Sequence, residues 1–340
     1  MGGGEEEDRT PDLCIANAAL SQLSYFPDER ECYTATESLS KPQPRLDSQL
    51  MASETAFLER EYNARASIRD HPQILARWAE QGAAARRMRA CEADLQYGTL
   101  EAERLDIFHA HQSDAPLLVF IHGGYWRSLD KSDFSWIAPA FLQHGVAVAL
   151  LNYGLAPQTS IEDIVRQQLK ALAWLYRNAE RLRFDAARIV VAGHSAGGHL
   201  TAMMMAALWQ QFDSTLPSSV VKAGLAISGL FDLQPLVRAP FVNADLKLTA
   251  ARARALSPML MPSATAAPLI TAVGALESSE FKRQSTAFGA AWSTNLARHL
   301  ELPHANHLTV CDELANPSSP LFDAALELIR RVQGGPTLFV

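Results

Sequence analysis

The stretch VVAGHSAGGHL, Val190–Leu200, sets an apolar run directly against Gly-His-Ser-Ala-Gly-Gly and then against helix formers. That is the layout of a strand, a sharp turn and a helix, with Ser195 on the turn. A nucleophile held on a tight strand-to-helix turn adopts an unusual backbone conformation. Its neighbours must then lack side chains that would clash, a need that Gly193 and Gly197 meet. The helix that follows aims backbone N–H groups at the same point. Ser195 is therefore the candidate nucleophile.

Outward from this turn the chain alternates two patterns. PLLVFIH (Pro116–His122), VAVALLNY (Val146–Tyr153), RIVVAGHS (Arg188–Ser195), KAGLAISG (Lys222–Gly229) and PLITAVGA (Pro268–Ala275) are near-continuous apolar runs. Strands covered on both faces in a parallel sheet read this way. TLEAERLDIFHA (Thr99–Ala110) alternates weakly and is expected to add a strand, and LARHLELP (Leu296–Pro303) the last. Helices are expected over His71–Leu95, with Ile74, Trp78, Met88 and Leu95 among the apolar positions, and over Ser160–Leu182. In the latter Ser160 can cap and Asp163 can reach back, while Ile161, Val165, Leu169, Leu172, Tyr176 and Ala179 trace one face. Gly197–Phe212, Glu280–Leu296 and Pro320–Val332 complete the helices. Strands alternating with helices predict an α/β protein with a mostly parallel central sheet and helices on both faces.

A serine hydroxyl is a weak nucleophile at neutral pH and needs a base, itself oriented by a carboxylate. On a strand–turn–helix of this kind the chain order is serine, acid, histidine. His307, in the loop HANHLTV after the last strand and before the terminal helix, is the expected base, with His304 as the alternative. His199, one turn into the nucleophile helix, points the wrong way and is expected to pack. His299 falls in the last strand. Glu277, the first carboxylate after PLITAVGA, is the expected acid; Asp232 in GLFDLQPL is the alternative, and Glu280 is expected to stabilise a helix start. FIHGGYW (Phe120–Trp126) supplies the second element of chemistry. Its main-chain N–H groups are expected to form an oxyanion hole, with Gly124, Tyr125 and Ala196 as donors, Gly123 permitting the turn and His122 bracing the loop. Tyr125 and Trp126 are the expected aromatic wall for a substrate.

Composition narrows the function classes. The chain has 340 residues, 48% hydrophobic and 20% charged, with a net charge of -7. That acidic balance, without a Lys/Arg block, argues against nucleic acid or an anionic membrane as partner. Cys14, Cys32, Cys91 and Cys311 are sparse and lack metal-site spacing, so no metal and no cofactor are expected, and a reducing, cytoplasmic setting fits. A homodimer is compatible with the sequence, which identifies no patch for it. Residues 1–50 show no sustained period, and RTPDLCIANAALSQLSYFP (Arg9–Pro27) resembles an antisense reading of a tRNA gene. This segment is expected to be a misplaced start or a disordered extension, with 51–340 as one domain. N-terminal sequencing of protein made from the native gene tests that reading.

HGGYW, GHSAGGHLTAMM, ISGLFDLQPL, SPMLMP and ESSEFKRQS, in that order, resemble the arylformamidase (kynurenine formamidase) family of α/β-hydrolases. The resemblance implies hydrolysis of N-formyl-L-kynurenine to L-kynurenine and formate through a formyl-serine, a step in tryptophan breakdown. It puts the nucleophile at Ser195, the acid at Glu277 and the base at His307. Familiar members carry Asp at the acid position, so Glu277 is a departure. A general short-chain carboxylesterase of the hormone-sensitive-lipase-like group is the rival reading.

Overall fold

The computed structural model describes residues 44–88 and 90–333. Its strands are β1 (Cys91–Gln96), β2 (Arg104–Phe108), β3 (Ala115–Ile121), β4 (Ala147–Leu151), β5 (Phe184–His194), β6 (Ala223–Ile227), β7 (Leu269–Gly274) and β8 (Leu296–Leu302). They form one sheet in the order β1-β2-β4-β3-β5-β6-β7-β8. β1 and β2 are antiparallel, β2 is antiparallel to β4, and every other neighbouring pair is parallel. This is the mostly parallel sheet expected of an α/β-hydrolase.

The apolar runs explain the layering. Successive side chains of a strand point to opposite faces. Leu117, Val119 and Ile121 of β3 therefore join one core layer, and Leu118 and Phe120 the other. The first layer is closed by helices Ile161–Arg177, Ala196–Ala206 and Ser279–Ala291, the second by His71–Arg86 and Pro320–Gln333. In helix Ala196–Ala206 every residue from Ala196 to Met205 is buried. A helix apolar on all sides belongs inside.

Three expectations are corrected. The helix expected over His71–Leu95 ends at Arg86, and Cys91–Gln96 is the edge strand β1. Ala, Glu and Leu favour a helix there, but tertiary bonds override them. Asp94, at φ 58, donates its N–H to Asp106 Oδ1 at 2.8 Å. Asp106 is fully buried and ion-paired to Lys131 at 2.7 Å and Arg86 at 2.8 Å. A buried ionic cluster leaves no periodic trace in sequence. Second, the buried stripe of Ile161–Arg177 includes Ile164, Gln168 and Leu175, while Val165 and Tyr176 are half-buried and Ala179 lies past the helix end. Ser160 caps as expected, but Asp163 accepts the Ser160 hydroxyl at 2.6 Å instead of a backbone N–H. Third, the expected helix Gly197–Phe212 breaks at Ala207–Leu208 before a single turn, Trp209–Phe212.

Residues 1–43, most of the segment read as foreign, lie outside the described residues. The first described helix, Pro44–Tyr62, runs through Met51. Among the described residues no helix is long and apolar enough to cross a membrane.

Candidate active site

Strand register assembles the site. Ile121 pairs with Gly193 and His194 with Ile227, so the HGGYW loop, Ser195 and Ser228 leave β3, β5 and β6 side by side. Ile227 pairs with Ala272 and Gly274 with Leu302, which brings the loops after β7 and β8 to the same edge. The carboxyl ends of parallel strands are where open α/β sheets build sites.

Ser195 sits at φ 58, ψ -118, a sparsely populated conformation for a residue with a side chain. Its N–H donates to the Ile227 carbonyl at 2.8 Å, which holds the turn. A Cβ on Gly197 would come within 1.9 Å of the Ile121 carbonyl oxygen, so only glycine lets the helix approach β3 this closely.

Ser195 Oγ donates to His307 Nε2 at 3.0 Å, and His307 Nδ1 donates to Glu277 Oε2 at 2.6 Å. Both Ser195 and His307 are buried, and the Glu277 side chain is fully enclosed. Glu277 Oε1 accepts the Ser228 hydroxyl at 2.5 Å and the Gly274 N–H at 2.7 Å. The carboxylate is thus fixed by one oxygen and presents the other to the imidazole. Sequence reasoning missed Ser228, although ISGLFD places it directly after a strand at the site edge. It also missed Phe281 and His194, whose rings lie 4.3 and 4.7 Å from the His307 ring centroid. Burial holds His194 well below the ordinary histidine range, so it packs as a neutral ring.

The HGGYW loop closes as a turn with φ 53 at Tyr125 and φ 56 at Trp126, and Arg127 N–H donates to the Gly124 carbonyl at 3.1 Å. Two consecutive aromatic residues in the left-handed region store strain of a kind found at functional sites. The positive-φ glycine is Gly124, at 101°. Gly123 serves a different need: a Cβ there would lie 3.0 Å from Ser195 Cβ. His122 braces the loop, donating Nδ1–H to the Gly123 carbonyl at 2.8 Å and stacking on Tyr153 at 4.3 Å. The Tyr153 hydroxyl donates to the His122 carbonyl at 2.9 Å. With the carbonyls held, the N–H groups of Gly124, Tyr125 and Ala196 make no hydrogen bond to another described residue. Such donors beside a serine can stabilise an oxyanion.

Other candidates are placed elsewhere. His304 is exposed at φ 65. Asp232 accepts the Gln234 N–H at 3.0 Å, closing its own turn. Glu280 accepts the Tyr62 hydroxyl at 2.6 Å and pairs with Arg283. His299 bonds Thr271 at 2.8 Å. Trp126 is not a wall for substrate: it is fully enclosed, with its ring edge-on to His199 at 5.0 Å. Tyr125 is half-buried, its hydroxyl donating to the Tyr62 carbonyl at 2.5 Å.

His199 is buried with Nε2 donating to the Leu256 carbonyl at 2.8 Å, and burial pushes its pKa from 6.5 down to about 4. Above pH 6.5 both folded and unfolded chains hold it neutral. As pH falls from 6.5 toward 4, only the unfolded chain takes up this proton. Stability is therefore lost across that window, by about 3 kcal/mol. In His199→Gln, which keeps a donor for Leu256, urea melts are expected to lose about 3 kcal/mol less between neutral pH and pH 4 than wild type. An unchanged loss would assign it to other groups.

A cavity of about 320 Å³ opens beside the histidine, lined by His307, Glu277, Asn306, Ala64, Arg69 and Asp70 among others. A larger cavity, about 790 Å³, lies between helix Ile161–Arg177 and the end of helix Ala196–Ala206, and Ser195, His307 and Glu277 do not line it.

The BD-FAE family matches residues 105–271. The chain is 30% identical to the kynurenine formamidase of Danio rerio over 271 residues, covering 77% of this chain and 89% of that one. It is 27% identical to the kynurenine formamidase of Salmo salar over 246 residues, covering 69% and 81%. Among solved structures, a Silicibacter sp. TM1040 protein provisionally assigned as a thioesterase superposes with a TM-score of 0.69 at 31% identity, covering 82% of this chain and 99% of that one.

Proposed function

The chain belongs to the kynurenine formamidase family of hydrolases, and from that premise we propose that it hydrolyses N-formyl-L-kynurenine to L-kynurenine and formate through a formyl-serine. The likeness to the fish enzymes over most of their length carries this reading. The hydrogen-bonded order Ser195, His307, Glu277 supplies the chemistry it needs.

His307 takes the Ser195 proton as Oγ attacks the formyl carbon. The developing oxyanion rests on the N–H groups of Gly124, Tyr125 and Ala196, and Glu277 stabilises the imidazolium that forms. As the C–N bond breaks, His307 gives its proton to the leaving arylamine. A water then attacks the formyl-serine while His307 accepts its proton. Formate leaves as that proton returns to Ser195. The reaction would belong to tryptophan breakdown, and we place it in the cytoplasm. Cys91 and Cys311 are both free thiols, and burial pushes Cys91 up to about 11 and Cys311 well above its ordinary value.

Hydrolysis of N-formyl-L-kynurenine beside p-nitrophenyl acetate tests the reading. The expected result is a kcat/KM for the formamide at least about tenfold above that for the ester, a preference of about 1.4 kcal/mol in transition-state binding. Turnover of the ester alone would move the protein to the short-chain carboxylesterases.

A further inference from the structure

The N-terminal helices form a wall on the histidine side of the site. Tyr125 on the HGGYW loop is bonded to the Tyr62 carbonyl, and Ser278, next to Glu277, donates to the Glu61 carbonyl at 2.5 Å. This clamp fixes the short helix Ala64–Ser67 and the residues after it against the catalytic loops. Ala64, Arg69 and Asp70 line the same cavity as His307.

Three arginines lie on this segment or just before it. Arg60 is paired with Glu61 at 3.0 Å. Arg65 and Arg69 make no side-chain hydrogen bond or ion pair with another described residue. The nearby Arg127, which follows Tyr125 and Trp126 on the HGGYW loop, is paired with Asp245 at 2.6 Å. Arg65 is exposed and does not line the cavity, whereas Arg69 does. A guanidinium is suited to grip a planar carboxylate through two parallel N–H bonds.

We propose that Arg69, on the wall of the cavity that His307 also lines, selects substrates that carry a carboxylate beyond the scissile bond. The identity of the natural substrate rests on the formamidase reading, in which the aminoacyl arm of N-formyl-L-kynurenine brings that carboxylate. The charge preference does not rest on it.

The test compares wild type with Arg69→Gln and, as a control off the cavity wall, Arg65→Gln on two substrate pairs. One pair is N-formyl-L-kynurenine and its methyl ester; the other is 4-acetoxybenzoate and phenyl acetate. Charge-assisted hydrogen bonds to a carboxylate are worth enough that Arg69→Gln should lose about 10- to 100-fold in kcat/KM on the carboxylate member, with Arg65→Gln within about twofold of wild type. The loss should appear mainly in KM, with the neutral member within about twofold of wild type. Equal losses on both members, or no loss on either, overturn the proposal. If formamides are not turned over, the ester pair still reads the charge preference, so failure of the formamidase reading stays separate from failure of this one.

Discussion

Ser195→Ala is expected to lower kcat by about 10⁵-fold or more on any substrate the protein hydrolyses, with KM little changed. The size follows from the hydrogen-bonded chain. His307 Nε2 has the Ser195 hydroxyl as its partner at 3.0 Å, and no other serine occupies that place. Ser228, the nearest rival by strand order, is fully buried and directs its hydroxyl to Glu277. Alanine removes the proposed nucleophile and leaves the N–H groups of Gly124, Tyr125 and Ala196 in position, so only the rate contributed by those donors and by binding is expected to remain. Folding should survive, because among the described residues the Ser195 hydroxyl bonds only His307 while the turn is held by the Ser195 N–H and by glycines on either side. The measurements are single-turnover kinetics, labelling by a fluorophosphonate probe, and a thermal melt as the folding control. Loss of both turnover and labelling with an unchanged melt is the expected result. Labelling that persists would mean that a different serine is the nucleophile.

Some of this was legible in sequence and some was not, and the difference is physical. Strands such as β3 (Ala115–Ile121) and β7 (Leu269–Gly274) are buried on both faces, and burial on both faces writes a continuous apolar run. The turn at Ser195 is legible because the approach of Gly197 to the Ile121 carbonyl excludes every side chain. Ser195, Glu277 and His307 could be chosen because each follows a strand end, and strand ends converge on one edge of the sheet. What was not legible depended on partners remote in sequence. β1 looked helical because its pairing is fixed by Asp106, Lys131 and Arg86, charges that periodicity reads as surface. Trp126 looked like a substrate wall because a motif gives the backbone path and not the direction of a side chain, and its ring turns inward onto His199. Ser228 carried no signal of its own, since its role appears only when Glu277 is brought beside it.

Glu277→Gln is expected to reduce kcat by about 10³- to 10⁴-fold while leaving KM and labelling stoichiometry near wild type. Glu277 has two oxygens with separate tasks. Oε1 is anchored by Ser228 at 2.5 Å and Gly274 at 2.7 Å, and Oε2 receives His307 Nδ1–H at 2.6 Å. The amide is nearly isosteric but neutral, so it cannot stabilise the imidazolium formed as Ser195 is deprotonated. Its NH₂ group would also face either the two donors at the anchored oxygen or the Nδ1–H donor at the other. Either placement sets donor against donor, so the ring is left mis-oriented or a buried donor unsatisfied. Glu277→Asp separates charge from reach. The carboxylate is kept but shortened by one methylene, and it can no longer hold the Ser228 and Gly274 anchor and also meet His307. A misplacement of about 1 Å costs on the order of 10²-fold. The expected ranking of kcat is therefore wild type, then Asp, then Gln. Ser228→Ala, which frees Oε1 from one donor but leaves the charge, should lose less than either. Steady-state kcat for the three variants, each with a thermal melt, checks the ranking. A Gln variant within tenfold of wild type would show that the histidine draws its charge stabilisation from another carboxylate, and would remove Glu277 from the catalytic chain.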